Sequence, residues 1–76
     1  MQQSAKPFAD RLNSCLDDTE APVSIRERAN ILSKLLDIPK QQAWGLLAGQ
    51  QMPDQSLLER IAAEFDVDPQ WLLGNK

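Results

Sequence analysis

The sequence predicts an all-α protein of five short helices, and three observations support this fold class. In each of five segments, apolar side chains recur every three or four residues, as on the inner face of an amphipathic helix. No segment alternates apolar and polar residues in the manner of a half-buried strand. Aspartate, proline and glycine, which start and stop helices, stand between the apolar segments.

Length and composition narrow the class of protein further. The chain has 76 residues, so we expect 1–76 to form a single domain with a flexible N-terminal stretch at 1–6. It has no apolar run near the ~20 residues that cross a bilayer, and its start lacks the apolar centre of a signal peptide. With one cysteine, Cys15, and no histidine, neither an internal disulfide nor a zinc site is expected. These features indicate a soluble cytoplasmic protein without a cofactor.

The first two helices are predicted from their apolar faces and their start signals. Proline suits a first turn, so the first helix is expected from about Pro7 to Leu16, before a polar loop at 17–22. Its inward residues are Phe8, Leu12, Cys15 and Leu16. The second helix begins after Ser24, which has the spacing of a capping box with Glu27. Its inward stripe is expected to contain Ile25, Ala29, Leu32 and Leu36, widened by Ile31 and Leu35.

The last three helices are marked by stronger local signals. The third covers Pro39–Ala48, with proline in the first turn and Gly49 in the left-handed conformation that ends helices. The fourth starts after Asp54, an N-cap residue. The fifth is the short segment DPQWLLG at 68–74, in which Trp71 is expected to belong to the core.

Charge is unevenly distributed along the chain. The net charge is −3, which by itself argues against nucleic acid as a partner. Residues 24–53, however, hold four cations against two anions, while the segments on either side are net negative. Positive charge is therefore concentrated around the third helix, and the local field matters more for binding than the total.

Only Asp37 and Ile38 separate the second helix from the third, and so short a connection forces the two to cross steeply. Residues 25–74 resemble the lambda-repressor-like, Cro/CI-type helix-turn-helix domain of phage repressors and their bacterial relatives. The resemblance lies in KLLDIPKQQAWGLLAGQQMPD, followed by LLERIAAEFDVDPQWLLGN. It places the helix-turn-helix at about 25–48. It implies that the third helix enters the DNA major groove while the second braces it across the phosphates.

The faces of the third helix follow from a turn of about 100° per residue. The residues expected to point into the core are Ala43, Leu46 and Leu47. Gln41 and Gly45 are expected to point directly away from it, with Ala48 beside them. Lys40 and Trp44 fall on the flank of that outward face.

The outward residues suit contact with DNA. Glutamine can read adenine with two hydrogen bonds, which makes Gln41 and Gln42 candidate base contacts, although solvated surface amides would look the same. Lys40 can reach guanine or a phosphate, and no carboxylate lies on this helix to repel the backbone. Gly45 lacks a side chain, which would let a base edge or a phosphate approach closely.

Four further candidates lie outside the third helix. The resemblance implies that Gln50 and Gln51, just past its end, touch the sugar-phosphate backbone. Arg26 and Arg28, at the start of the second helix, are suited to phosphates. The alternatives are an ordinary charged helix start and, for Arg28, a stem packed along the apolar face.

Trp44 departs from the resemblance, because the family usually has a small or polar residue there. On the flank of the third helix it could stack on the DNA backbone or on a thymine methyl group. It could also pack over the arginines of the second helix or join a protein interface. A protein interface would give this residue a role unrelated to DNA.

Two functional hypotheses follow. The first is a sequence-specific regulator of transcription, expected to be a repressor, that binds a pseudo-palindromic site in double-stranded DNA as a homodimer. The alternative is a protein-binding module on the same fold (an anti-activator, an anti-repressor or an antitoxin-like domain) that uses the Trp44 face and binds little DNA. The acidic net charge favours the alternative. With no histidine, metal-ligand cluster or phosphate loop, an enzyme is not expected.

Overall fold

A computed structural model describes residues 5–75 of the chain, which form five α-helices and no strand. The helices are α1 Ala5–Asp18, α2 Ile25–Leu36, α3 Lys40–Ala48, α4 Gln55–Phe65 and α5 Pro69–Leu72. The predicted all-α, five-helix architecture is confirmed. Over residues 5–75, none of the helices combines the length and the apolar character needed to cross a lipid bilayer.

A single apolar core lies between the helices. Its largest fully buried side chains are Phe8, Leu12, Leu16, Leu32, Leu36, Leu46, Leu58, Ile61 and Leu72. Every helix contributes at least one of them, which is why short helices that are marginal alone are stable together. Trp71 is half-buried against this core, as predicted. The guanidinium carbon of Arg11 lies 5.0 Å from the centre of its ring and ties α1 to α5.

The predicted local signals at the helix ends are confirmed in three places. Asp54 Oδ1 accepts a hydrogen bond of 2.8 Å from the backbone N–H of Leu57 at the start of α4. Asp68 accepts one of 2.8 Å from Gln70 at the start of α5. Gly49 follows α3 with a φ of 76°. Each of these features needs only neighbouring residues, so local sequence suffices to predict it.

The first helix is longer than predicted. It includes Ala5 and Lys6 of the predicted flexible stretch, and it runs on to Asp18. Lys6 forms an ion pair of 3.6 Å with Asp10 one turn later, an i,i+4 contact that supports the first turns. The remainder of the predicted flexible stretch, residues 1–4, lies outside the described residues.

The predicted capping box at the start of α2 is wrong. Ser24 is the N-cap residue, but its side chain makes no capping hydrogen bond. The segment before α2 is held instead by Arg28, whose Nε donates a hydrogen bond of 2.5 Å to the carbonyl oxygen of Pro22. A hydrogen bond from Arg28, inside the helix, thus holds the chain before α2 in place of the predicted capping bonds of Ser24 and Glu27.

The predicted widening of the inner stripe of α2 is also wrong. Ile31 and Leu35 are 36% and 41% exposed, whereas Ala29 and Leu32 are buried. The two exposed residues lie one turn apart to one side of the buried stripe. The apolar period predicted the centre of the buried face correctly, but its width depends on where the neighbouring helices lie.

Candidate functional site

A short, tightly bonded turn sets the position of α3. Asp37 takes the left-handed conformation, with a φ of 56°. The N–H of Ile38 donates to the carbonyl oxygen of Ser33 at 3.1 Å. The hydroxyl of Ser33 donates in return to the carbonyl oxygen of Ile38 at 2.8 Å. These bonds fix the direction in which the chain leaves α2, and residues 37–39 form the three-residue connection from α2 to α3.

The side chain of Asn13 holds the other end of α3. Its Nδ2 donates to the carbonyl oxygen of Leu47 at 3.2 Å and to that of Ala9 at 2.9 Å. Its Oδ1 accepts a hydrogen bond of 2.9 Å from Nη1 of Arg28. One amide therefore joins α1, α2 and α3. Sequence reasoning missed it, because the partners of Asn13 are 15 and 34 residues away along the chain.

One face of α3 is buried and the opposite face is open. The predicted inward residues Ala43, Leu46 and Leu47 are all at most 3% exposed. Gln41 and Trp44 are exposed on the other side, and Trp44 retains 40% of its accessible surface. The helix thus presents an amide and an indole to solvent from a rigid support.

Two adjoining clefts lie along this open face. The first, here called the amide cleft, has a volume of about 540 Å³. Its lining consists of Pro39, Gln41, Gln42, Trp44, Gly45, Gln50 and Gln51. The amide cleft brings together all the candidates predicted on the middle and end of the third helix and just beyond it. Four of its seven lining residues are glutamines, so it offers many hydrogen-bond donors and acceptors but no formal charge.

The second cleft, here called the tryptophan cleft, lies between α2 and α3 and has a volume of about 270 Å³. Its lining consists of Arg26, Ala29, Asn30, Lys40, Gln41 and Trp44. Gln41 and Trp44 line both clefts and separate them. Asn30 was not predicted, although its position one turn after Arg26 places both on one face of α2 and could have indicated it.

The polar side chains of the two clefts are free of internal partners. Within residues 5–75, neither Arg26 nor Lys40 makes a side-chain hydrogen bond or ion pair, and the same holds for the four glutamines. Arg60, by contrast, is engaged elsewhere and donates to the carbonyl oxygen of Leu36 at 2.6 Å. The unpaired groups around α3 remain available for an external ligand.

Arg28 is not part of this surface, and its prediction as a DNA contact is wrong. Arg28 is 4% exposed. Each of its three guanidinium nitrogens donates hydrogen bonds within the protein. The acceptors are the carbonyl oxygens of Pro22 and Asn13, the side-chain oxygen of Asn13 and the carboxylate of Asp17. Because burial and these bonds hold the guanidinium inside the fold, it cannot reach a phosphate.

The prediction that Gly45 is an open point of close approach is also wrong. Gly45 is buried, because the side chain of Gln51 folds back across it. A Cβ atom at this position would lie 2.2 Å from Nε2 of Gln51. The outward face of α3 is thus uncovered by any other helix of the described region, but its middle carries a side chain from beyond the helix end.

Neither cleft is lined by a thiol or by a group of metal-ligating side chains. Among residues 5–75, no three histidine, cysteine, aspartate or glutamate side chains are grouped so that they could hold a metal ion. Cys15 lies in the core, 5% exposed, as predicted, and lines neither cleft. What the surface offers is amides, two cations and one indole.

No known protein family, characterised protein or solved structure matches this chain. The resemblance to lambda-repressor-like domains therefore stays a prediction.

Proposed function

We propose that this protein is a sequence-specific double-stranded-DNA-binding regulator of transcription with a lambda-repressor-like domain, acting as a repressor by inserting α3 into the major groove. One observation carries the proposal. Two cations, Arg26 and Lys40, and four glutamines, none with a side-chain partner among residues 5–75, line the two adjoining clefts along the open face of α3.

The dimensions of α3 suit this role. Nine residues make a rod about 13 Å long, and a major groove about 12 Å wide accepts a helix. Core packing on one side and the bonds to Asn13 and the α2–α3 turn hold the rod in place. A reading element needs this rigidity, because base contacts must be placed within a fraction of an ångström.

The chemistry divides into two parts. Gln41 and Gln42 supply planar amides that match the N6 and N7 groups of adenine. Arg26 and Lys40, on the rim of the tryptophan cleft, supply cations for phosphates that border the groove. Two copies on a pseudo-palindrome would place their α3 helices about 34 Å apart, one turn of the double helix.

Selection from random DNA duplexes tests the proposal. The 76-residue chain is incubated with a randomised library at moderate salt, and the enriched sequences are titrated at several salt concentrations. We expect the enriched sequences to share one motif. The logarithm of the affinity should fall linearly with the logarithm of the salt concentration, with a slope of about −0.9 for each phosphate contact. Binding without sequence preference, or affinity independent of salt, would contradict the proposal.

A second function is favoured by one specific observation, the 40% exposure of Trp44 beside the tryptophan cleft. An exposed aromatic side chain next to a concave surface is a common anchor for a protein partner. A Trp44→Ala variant separates the two functions. If it keeps the DNA affinity of the wild type and loses a protein complex, Trp44 belongs to a protein-binding surface. If it loses DNA affinity, Trp44 belongs to the DNA interface.

A further inference from the structure

The chain turns sharply at the end of α3, and the side chain of Gln51 folds back over the helix. Gly49 takes a φ of 76°, and the next two backbone N–H groups point back at one carbonyl oxygen. Gln50 donates to the oxygen of Gly45 at 2.9 Å, and Gln51 donates to the same oxygen at 3.3 Å. This closure of the helix end aims the side chain of Gln51 back along the outward face of α3.

The missing side chain of Gly45 makes room for this return. A Cβ atom there would meet Nε2, Cγ and Cδ of Gln51 at 2.2, 2.6 and 2.7 Å. Three consecutive parts of the Gln51 side chain thus lie against the helix, and any residue other than glycine would displace them. Glycine also weakens a helix interior relative to alanine, and the placement of Gln51 gives a physical reason for it here.

The amide of Gln51 is presented to solvent. The residue is exposed, and its side chain makes no hydrogen bond to any other residue within 5–75. Its amide therefore has no partner among these residues and lies in the amide cleft, beside Gln41 and Gln42. The cleft carries a planar hydrogen-bonding group at the one point of the α3 face where the helix has no side chain of its own.

We infer that Gln51 is a base-reading residue, held across the middle of α3 by Gly45, and that it extends the reading face of the helix; this inference rests on the proposed function. The resemblance implied a contact with the sugar-phosphate backbone for this residue. The geometry points elsewhere, because phosphates border the groove at its walls, whereas the middle of an inserted helix faces the base edges. A neutral, planar amide there matches adenine in two hydrogen bonds.

Three variants and a matched control test the inference by selection from the same randomised duplex library. We expect Gln51→Ala and Gly45→Ala to lose preference at the same base pair of the wild-type motif, by about 5- to 150-fold, while other positions keep theirs. We expect Gln51→Glu to shift that position towards cytosine, whose N4 group donates to a carboxylate. The control, Gln70→Ala, removes an exposed amide that lines neither cleft and should leave that position unchanged.

The outcomes are distinguishable from failure of the proposed function. If the wild type selects a motif and Gln51→Ala weakens all sequences equally, Gln51 contacts the backbone and the inference is wrong. If Gln51→Ala selects the unchanged motif with unchanged affinity, Gln51 reads nothing and the inference is equally wrong. If the wild type selects no motif, the proposed function itself fails. Thermal unfolding of Gly45→Ala, which should be no less stable than the wild type, confirms that its effect is local.

Discussion

Nη2 of Arg28 donates a hydrogen bond to the carboxylate of Asp17, which joins the beginning of α2 to the last turn of α1. The guanidinium is buried, while the Asp17 side chain is 65% exposed, so the pair sits at the boundary of the core. Together with the bonds to Asn13 and Pro22, it closes the loop between the two helices. An arginine that the sequence suggested as a DNA contact instead holds the scaffold that supports α3.

Replacing Arg28 should therefore destabilise the protein. We expect Arg28→Ala to lower the free energy of unfolding by about 2–3 kcal/mol, since it leaves the acceptors on Asn13 and Pro22 without their charged donor. Arg26→Ala, two residues away and exposed, should change it by less than about 0.5 kcal/mol. Urea unfolding of the two variants measures the difference. Equal effects would show that the buried network contributes no stability.

Asn13 and Arg28 should behave as a coupled pair. Asn13 accepts from Arg28 and donates to Leu47, so Asn13→Ala and Arg28→Ala each disturb the same network. We expect the double variant to be less destabilised than the sum of the two single variants, by about 0.5–3 kcal/mol. A double-mutant cycle in urea measures this coupling. Strict additivity would contradict a shared network.

The two free cations of the tryptophan cleft should control the salt dependence of DNA binding. Arg26→Ala and Lys40→Ala should each reduce the slope of log affinity against log salt by about 0.9, the effect of one lost phosphate contact. Lys34→Ala is the matched control, since Lys34 is exposed on α2 but lines neither cleft. Fluorescence anisotropy titrations at several salt concentrations measure the slopes. A comparable change for Lys34→Ala would indicate a nonspecific effect of net charge.

The left-handed end of α3 should tolerate asparagine better than alanine. A Cβ atom on Gly49 would meet only ordinary contacts, the nearest being Cα of Lys6 at 3.5 Å, so the strain comes from the positive φ of 76°. We expect Gly49→Ala to destabilise the protein by about 1–2 kcal/mol, and Gly49→Asn by less, because asparagine adopts this conformation more readily. Thermal unfolding ranks the two variants. The reverse order would contradict strain as the cause.

Stability should fall at alkaline pH through the buried thiol. Burial, assisted by the negative charge of Asp18, raises the pKa of Cys15 above its ordinary value of 9.0. The unfolded state therefore loses the thiol proton at a lower pH than the folded state does. The contribution of Cys15 is complete below pH 9.0 and is lost as the pH rises through the folded-state pKa. The unfolding free energies of the wild type and of Cys15→Ala should thus converge as the pH rises above 9.0. A difference that stays constant with pH would contradict a role of the buried thiol in the pH dependence of stability.

The face of α3 shows how far local sequence reasoning reaches. Its buried side was predicted correctly, because a helical period fixes which residues share a face. Six of the nine candidate contacts line the amide cleft, and the tryptophan cleft adds Arg26 and Lys40. The helical period could not predict that Gln51 covers Gly45, because that contact depends on the path of the chain after the helix ends.

What the sequence determined by itself are the features that depend on near neighbours. These are the five helices, the caps at Asp54 and Asp68, the left-handed turn at Gly49 and the inward stripe of α3, all set by backbone preferences and the helical period. The tertiary structure alone decided that Arg28 is buried while Arg26 is exposed. Burial of Arg28 needs hydrogen-bond acceptors on α1 and in the loop after it, which are distant in the sequence. It also decided which side chain covers the middle of the outward face of α3. The physical reason is that contacts between distant segments decide which of several chemically similar side chains is buried in the fold and which stays exposed on the surface.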